Sequence, residues 1–162
     1  MLDNNYFKED FINIVNNYLT KLKEERDSKT FYLVSKSLLK GGKHIRPLIF
    51  LNLIETRSFK FSEDISKLAI SIEMLHCASL IIDDLPSMDN DDERRGEPTV
   101  HKQYGVKKAH LIANKYILYA LCNILKICDK ESKMLIFEQL KNASVGQYFD
   151  LTGVTNSDNH EM

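Results

Sequence analysis

The chain has 162 residues, enough for one domain with a substantial core and too few for two domains of ordinary size. With 43% apolar and 28% charged residues it reads as a soluble globular protein, and a formal net charge of −1 excludes a global attraction to nucleic acid or to an anionic membrane. Any electrostatic function must therefore be local. Cys77, Cys122 and Cys128 follow none of the paired spacings of zinc sites, and an odd count fits poorly with a secreted disulfide framework. The first residues, "MLDNNYFKEDF", read as no secretory leader, so reduced thiols and a cytoplasmic location are expected.

Apolar residues recur at Phe7, Phe11, Ile14, Val15, Tyr18 and Leu22, the stripe of an amphipathic helix. A second helix is predicted over 30–39, ended by Gly41-Gly42, because glycine adopts the left-handed conformation at a helix C-terminus without steric cost. Pro47 fits the first turn of a third, running to Ile54. The segment 62–82 has helical spacing and becomes apolar on every side after Met74, as a central helix should. Helices over 106–128 and 132–148 follow. Tyr116 to Cys122 is wholly apolar but too short to cross a bilayer, so no transmembrane segment is expected. No stretch alternates apolar and polar residues for long enough to predict a strand. The expected class is all-α, one domain over 1–162 of long helices joined by short turns, with a frayed polar end, "GVTNSDNHEM".

The chemistry concentrates in "SLIIDDLPSMDNDDERRGEPTVH", residues 79–101, where residues 83–93 hold six acids. Helical spacing places His76, Ser79 and Asp83 towards one face of the apolar helix, three polar groups whose burial needs partners. Pro86 cannot continue that helix, since its ring clashes with the carbonyl of Ile82 and it lacks an N–H. The helix should end near Asp84 to Leu85, and a turn there can bring Asp89 back towards Asp83. Carboxylates at the mouth of an apolar cavity repel one another unless a cation lies between them. Mg²⁺ takes one or two carboxylates, waters and substrate phosphates, which suits Asp83, Asp84 and Asp89. A calcium loop opening at Asp89 would need glycine at its sixth position, where Arg94 stands. A solvated acidic turn has the same charge, but continuity with the apolar helix and termination in Arg94-Arg95 favour a site.

Arginines beside carboxylates suggest that anionic oxygens are delivered to the same place, because the guanidinium fork binds phosphate in a bidentate manner. In "GGKHIRP", residues 41–47, Lys43 and Arg46 flank a helix start, where unpaired N–H groups favour an anion. Two anion sites bounding an apolar helix suit amphiphilic diphosphates.

"GGKHIRP" followed by "HCASLIIDDLPSMDNDDERRG" resembles the trans-prenyltransferases, the farnesyl and geranylgeranyl diphosphate synthases, over about the first half of the family's length. The resemblance implies a bundle of long antiparallel helices of the isoprenoid synthase type, here truncated. It also implies Mg²⁺-dependent head-to-tail condensation of an allylic diphosphate (dimethylallyl, geranyl or farnesyl) with isopentenyl diphosphate. Carried over residue by residue, it makes Asp83, Asp84 and Asp89 catalytic, with Asp83 and Asp89 on the metal and Asp84 supporting them. Arg94 would contact the allylic diphosphate, and Lys43, Arg46, His76 and Arg95 would hold isopentenyl diphosphate; a satisfied core histidine remains the other reading of His76. "GQYFDL" resembles a further motif, in which Gln147 and Asp150 would line the cavity floor, unless they form a polar helix end. The small Ala78 and Ser79 ahead of Asp83 imply room for the twenty-carbon product.

The family's second aspartate motif is not found, since after Asp92 only the separated Asp129, Asp150 and Asp158 remain. The chain is therefore expected to be incomplete for catalysis alone, as a fragment of a longer enzyme or a naturally truncated product, and to form a homodimer or associate with a longer synthase. The alternative is a non-catalytic binding or regulatory subunit of such a synthase. Terpene cyclases share an aspartate-rich metal site but need no second diphosphate site.

Overall fold

The structure, a computed structural model, describes residues 4–24, 29–57 and 62–153, without the side chains of 4–7, 22, 24, 37, 38 and 40. The side chains of Phe7 and Leu22 in the first stripe, and the tail beyond Gly153, thus lie outside what the structure describes. The chain divides into two units, residues 1–127 and 128–162.

The first unit holds α1 (Asn4–Glu24), α2 (Lys29–Lys40), α3 (Ile45–Thr56), α4 (Glu63–Asp83), the two-residue strands β1 (Glu93–Arg94) and β2 (Glu97–Pro98), α5 (Val100–Tyr104) and α6 (Val106–Ile127). The second holds α7 (Lys130–Thr152). The all-α expectation is met, and each predicted helix is present. Local chemistry explains the ends. The Ser62 hydroxyl accepts the Ile65 N–H at 3.2 Å, and Glu63 and Asp64 sit in the first turn of α4, where the helix dipole favours acids. Asp129 caps α7 in the same way, accepting from the Ser132 N–H at 2.8 Å. That bond holds its carboxyl below the usual range.

Helix α4 is the centre of the first unit, packed along its length on α6 and also against α3, α1 and α2. On length and composition alone it could cross a membrane, yet it buries Met74, Cys77, Ala78 and Ile81 against neighbouring helices and carries Glu73 and His76. Phe11, Val15, Phe31, Leu39, Leu85 and Tyr116 complete the core. Tyr116 reconciles its hydroxyl with burial by donating to Ser35 Oγ at 2.9 Å, while its ring meets Phe31 edge-on at 5.2 Å. Burial without a charge partner pushes its pKa well up.

The connection after α4 is not the short turn predicted. It carries a hairpin and the five-residue α5, both too short for a periodic signal. Arg94 pairs with Glu97 and Glu93 with Pro98, so Arg95-Gly96 is a two-residue loop. Their φ values of 57° and 81° are those that tight hairpins of primed type demand.

Candidate active site

The break at Pro86 is visible in the hydrogen bonds. Leu85 N–H donates to Ile82 O at 3.1 Å, and the amides of Met88 and Asn90 return to Leu85 O at 2.9 and 3.1 Å. Asp89 N–H then reaches Asp83 O at 2.9 Å, closing the turn that brings the two aspartates together. Asp83 is half-buried and Asp89 exposed. No group of three His, Cys, Asp or Glu side chains able to hold an ion occurs among the described residues. Two hard carboxylates match in kind what Mg²⁺ takes from a protein, its other ligands being waters and phosphates.

Asp84 has a different role from its neighbour. It is buried, and its Oδ1 accepts from Arg94 Nε at 2.6 Å and from Nη2. Arg94 Nη2 is also 3.6 Å from Asp91 Oδ2. The hydrogen bond to Asp84 is the main reason the Arg94 pKa is raised. The acidic loop is tied down further along: Thr99 Oγ1 donates to Asp91 O at 2.9 Å, and Lys102 Nζ lies 2.7 Å from Asp92 Oδ1.

The hairpin loop aims Arg95 back at the glycines after α2. Gly42 has φ of +93°, and a Cβ built there would overlap the Arg95 guanidinium. Glycine is required at this position for its conformation, and a larger residue would also push the Arg95 guanidinium aside.

Lys43, Arg46, His76 and Arg95 converge on one cavity of about 420 Å³, closed by Gly42, His44 and Glu73. An adjoining cavity of about 290 Å³ shares Gly42, Glu73, His76 and Arg95, and adds Asp84 and Arg94 with an apolar wall of Cys77, Leu80 and Ile81. All four predicted isopentenyl diphosphate residues thus meet. Of the predicted acids, Asp84 lines a cavity, whereas Asp83 and Asp89 sit at the end of α4 beside it. Ser79 is exposed, its hydroxyl donating to the His76 carbonyl at 2.9 Å, so the expectation of a buried serine is corrected. Gln147 and Asp150 lie on α7, half-buried and exposed.

Burial pushes the His76 pKa down, with Arg46, Arg95 and Arg94 adding to the effect and Glu73 opposing it. Cys77, buried beside it, has its thiol pushed up to about 12 and is no nucleophile at neutral pH.

Two residues of the site escaped sequence reasoning. His44 Nδ1 lies 3.0 Å from Glu73 Oε1, with both side chains buried, and the His44 ring packs 5.1 Å from that of Phe11. The available signal was Glu73 itself, a single acid in the apolar run one turn before His76.

Fold and site together define a protein of the isoprenoid synthase class. The structure resembles an isoprenoid synthase family member from Thermotoga neapolitana, with a TM-score of 0.77, 27% identity, and coverage of 90% of this chain and 57% of that one. It also resembles a geranyltranstransferase from Thermotoga maritima, with a TM-score of 0.79, 30% identity, and coverage of 98% and 57%. The chain belongs to the polyprenyl synthetase family, whose pattern residues 28–162 match. It is 35% identical over 151 residues to the farnesyl diphosphate synthase of Micrococcus luteus, covering 89% of this chain and 52% of that protein. Identity to the farnesyl diphosphate synthase of Geobacillus stearothermophilus is 37% over 146 residues, 84% of this chain and 48% of that one. The chain therefore spans about half the length of the curated relatives it matches.

Proposed function

We propose that this chain supplies the first-half substrate sites of a short-chain prenyltransferase. The reaction joins an allylic diphosphate head to tail with isopentenyl diphosphate and yields farnesyl or geranylgeranyl diphosphate. The observation that carries the reading is the convergence of Lys43, Arg46, His76 and Arg95 on one cavity, next to a second bearing Asp84 and Arg94.

Lys43, Arg46 and Arg95 would hold isopentenyl diphosphate directly. They act beside the N-terminus of α3, where no side chain caps the helix and its N–H groups favour an anion. A neutral His76 contributes a hydrogen bond there rather than a charge. Asp83 and Asp89 would hold Mg²⁺, which when bound supplies neutralising charge for a departing diphosphate. Arg94, oriented by Asp84 through Nε and Nη2, would contact the allylic diphosphate with the rest of its guanidinium. The allylic C–O bond breaks with its electron pair leaving on the diphosphate. The double bond of isopentenyl diphosphate then forms the new C–C bond, and a proton is lost. Cys77, Leu80 and Ile81 keep one side of this space apolar, which protects a carbocation from water. We assign the complete reaction to a unit that also supplies the second metal-binding half, whether the remainder of a longer enzyme or an associated longer synthase, in the cytoplasm. The other reading, a binding subunit without turnover, keeps the same two sites and is separated by assaying condensation after reconstitution.

Calorimetry tests the reading. Isopentenyl diphosphate should bind with a chelator present and lose about tenfold or more in affinity in Arg46→Ala. An allylic diphosphate analogue should need Mg²⁺ and lose that dependence in Asp83→Asn and Asp89→Asn. Binding indifferent to all three substitutions removes the assignment.

A further inference from the structure

A carboxylate in the wall of a cavity built for anions is electrostatically out of place. Glu73 lines both cavities and is buried to 4% exposure, so its charge repels the ligand that Lys43, Arg46 and Arg95 attract. It stands at the centre of α4 beside apolar residues, where an acid needs a strong partner. That partner is His44, reached across 29 positions of sequence.

His44 stands between Lys43 and Arg46 and is the N-terminal cap residue of α3, in the left-handed conformation at φ 51° and ψ 32°. A residue with a Cβ is strained there and persists only when its surroundings hold it. Two contacts do so. A carboxylate oxygen only accepts, so the His44 Nδ1–H donates to Glu73 Oε1 at 3.0 Å, and Phe11 packs on the imidazole at 5.1 Å. The kink at His44 decides how the chain turns from Gly42 into α3, and with it where Lys43 and Arg46 stand.

We propose that Glu73 and His44 are positioning residues for diphosphate binding, the buried Nδ1–H···Oε1 bond fixing the left-handed kink that aims Lys43 and Arg46 into the basic cavity. The inference rests on that cavity being the metal-free diphosphate site. It makes a prediction opposite in sign to simple electrostatics. Deleting a negative charge beside an anion should tighten binding; deleting a positioning residue should weaken it.

The test titrates inorganic pyrophosphate, with a chelator present, into the 162-residue chain. Glu73→Ala should weaken binding by about tenfold, the size expected when a supporting partner is lost, whereas Glu73→Gln, which keeps an acceptor for His44, should stay near the parent. His44→Ala should weaken binding to a similar extent, and His44→Asn should restore much of it, since asparagine tolerates the left-handed region and keeps a short donor. A merely structural role would lower thermal stability without this rescue. Tighter binding in Glu73→Ala, or equal binding in His44→Ala and His44→Asn, overturns the proposal. Should Glu73→Ala not fold, the His44 pair decides alone. If the parent binds pyrophosphate but Lys43→Ala and Arg46→Ala leave affinity unchanged, the site assignment falls and the positioning role with it.

Discussion

The amide of Asp89 donates to the carbonyl of Asp83 at 2.9 Å, so the two outer aspartates are joined by backbone rather than by their side chains. The bond draws the backbone of Asp89 back to the end of α4, where Asp83 stands. The turn exists because α4 stops short of Pro86.

Replacing Pro86 with alanine restores an N–H able to extend the helix past Asp84, which would carry Asp89 round and away from Asp83. Pro86→Ala is expected to lower Mg²⁺-dependent affinity for an allylic diphosphate analogue roughly tenfold, as misplaced ligands do. Metal-free pyrophosphate binding should stay unchanged. Paired titrations with and without Mg²⁺ check this, and equal losses in both would place the effect in general unfolding.

Asp84 and Arg94 form an unequal pair, with side-chain exposures of 5% and 30%. Arg94 deprived of Asp84 can turn towards water, but Asp84 deprived of Arg94 keeps a carboxylate among apolar neighbours. Arg94→Ala should therefore destabilise the protein by about 2 kcal/mol, below the full value for a buried pair because Arg94 is partly solvated. Asp84→Ala should cost about 1 kcal/mol, the net value of a typical hydrogen bond. Urea unfolding of both variants checks the order, and a larger loss in Asp84→Ala contradicts it.

The helices were legible because their signals are local: Gly41-Gly42 as a stop, Pro47 in a first turn, the apolar stripe of α1; the caps Ser62 and Asp129 went unread. The site was legible in part. Lys43, Arg46, His76 and Arg95 could be named as anion ligands, but helical spacing grouped Asp83 with His76, whereas Asp84 is the aspartate that lines a cavity with it. That is decided by Arg94, ten residues on, which the hairpin swings onto Asp84. The hairpin has only two residues per strand, and the His44–Glu73 bond spans 29 positions, so neither leaves a periodic trace.

His76 sets a pH dependence. Its folded pKa lies below the ordinary 6.5, mainly through burial, so as pH falls the unfolded chain takes up the proton first. Stability then falls as pH drops through 6.5 and is untouched by this group well above that value. Urea unfolding at pH 8 and pH 6 should show a decline in the parent that is smaller in His76→Gln. The difference between the two proteins isolates His76 from the other histidines. An identical decline in both sinks the assignment.

Ala78 and Ser79, the small pair ahead of Asp83, prove unlike. Ala78 is 1% exposed within the core, whereas Ser79 is exposed. A tyrosine at 78 must displace packed neighbours and should cost about 3 kcal/mol, at the upper end for an overpacked core. A tyrosine at 79 has open space and should change stability by less than about 0.5 kcal/mol. Thermal unfolding of Ala78→Tyr and Ser79→Tyr measures the contrast. Ala78 is buried within the core, so at this level of α4 only a side chain at 79 can grow without displacing packed neighbours. In a reconstituted synthase Ser79→Tyr should shorten the product, and unchanged chain lengths would separate this face of α4 from the growing tail.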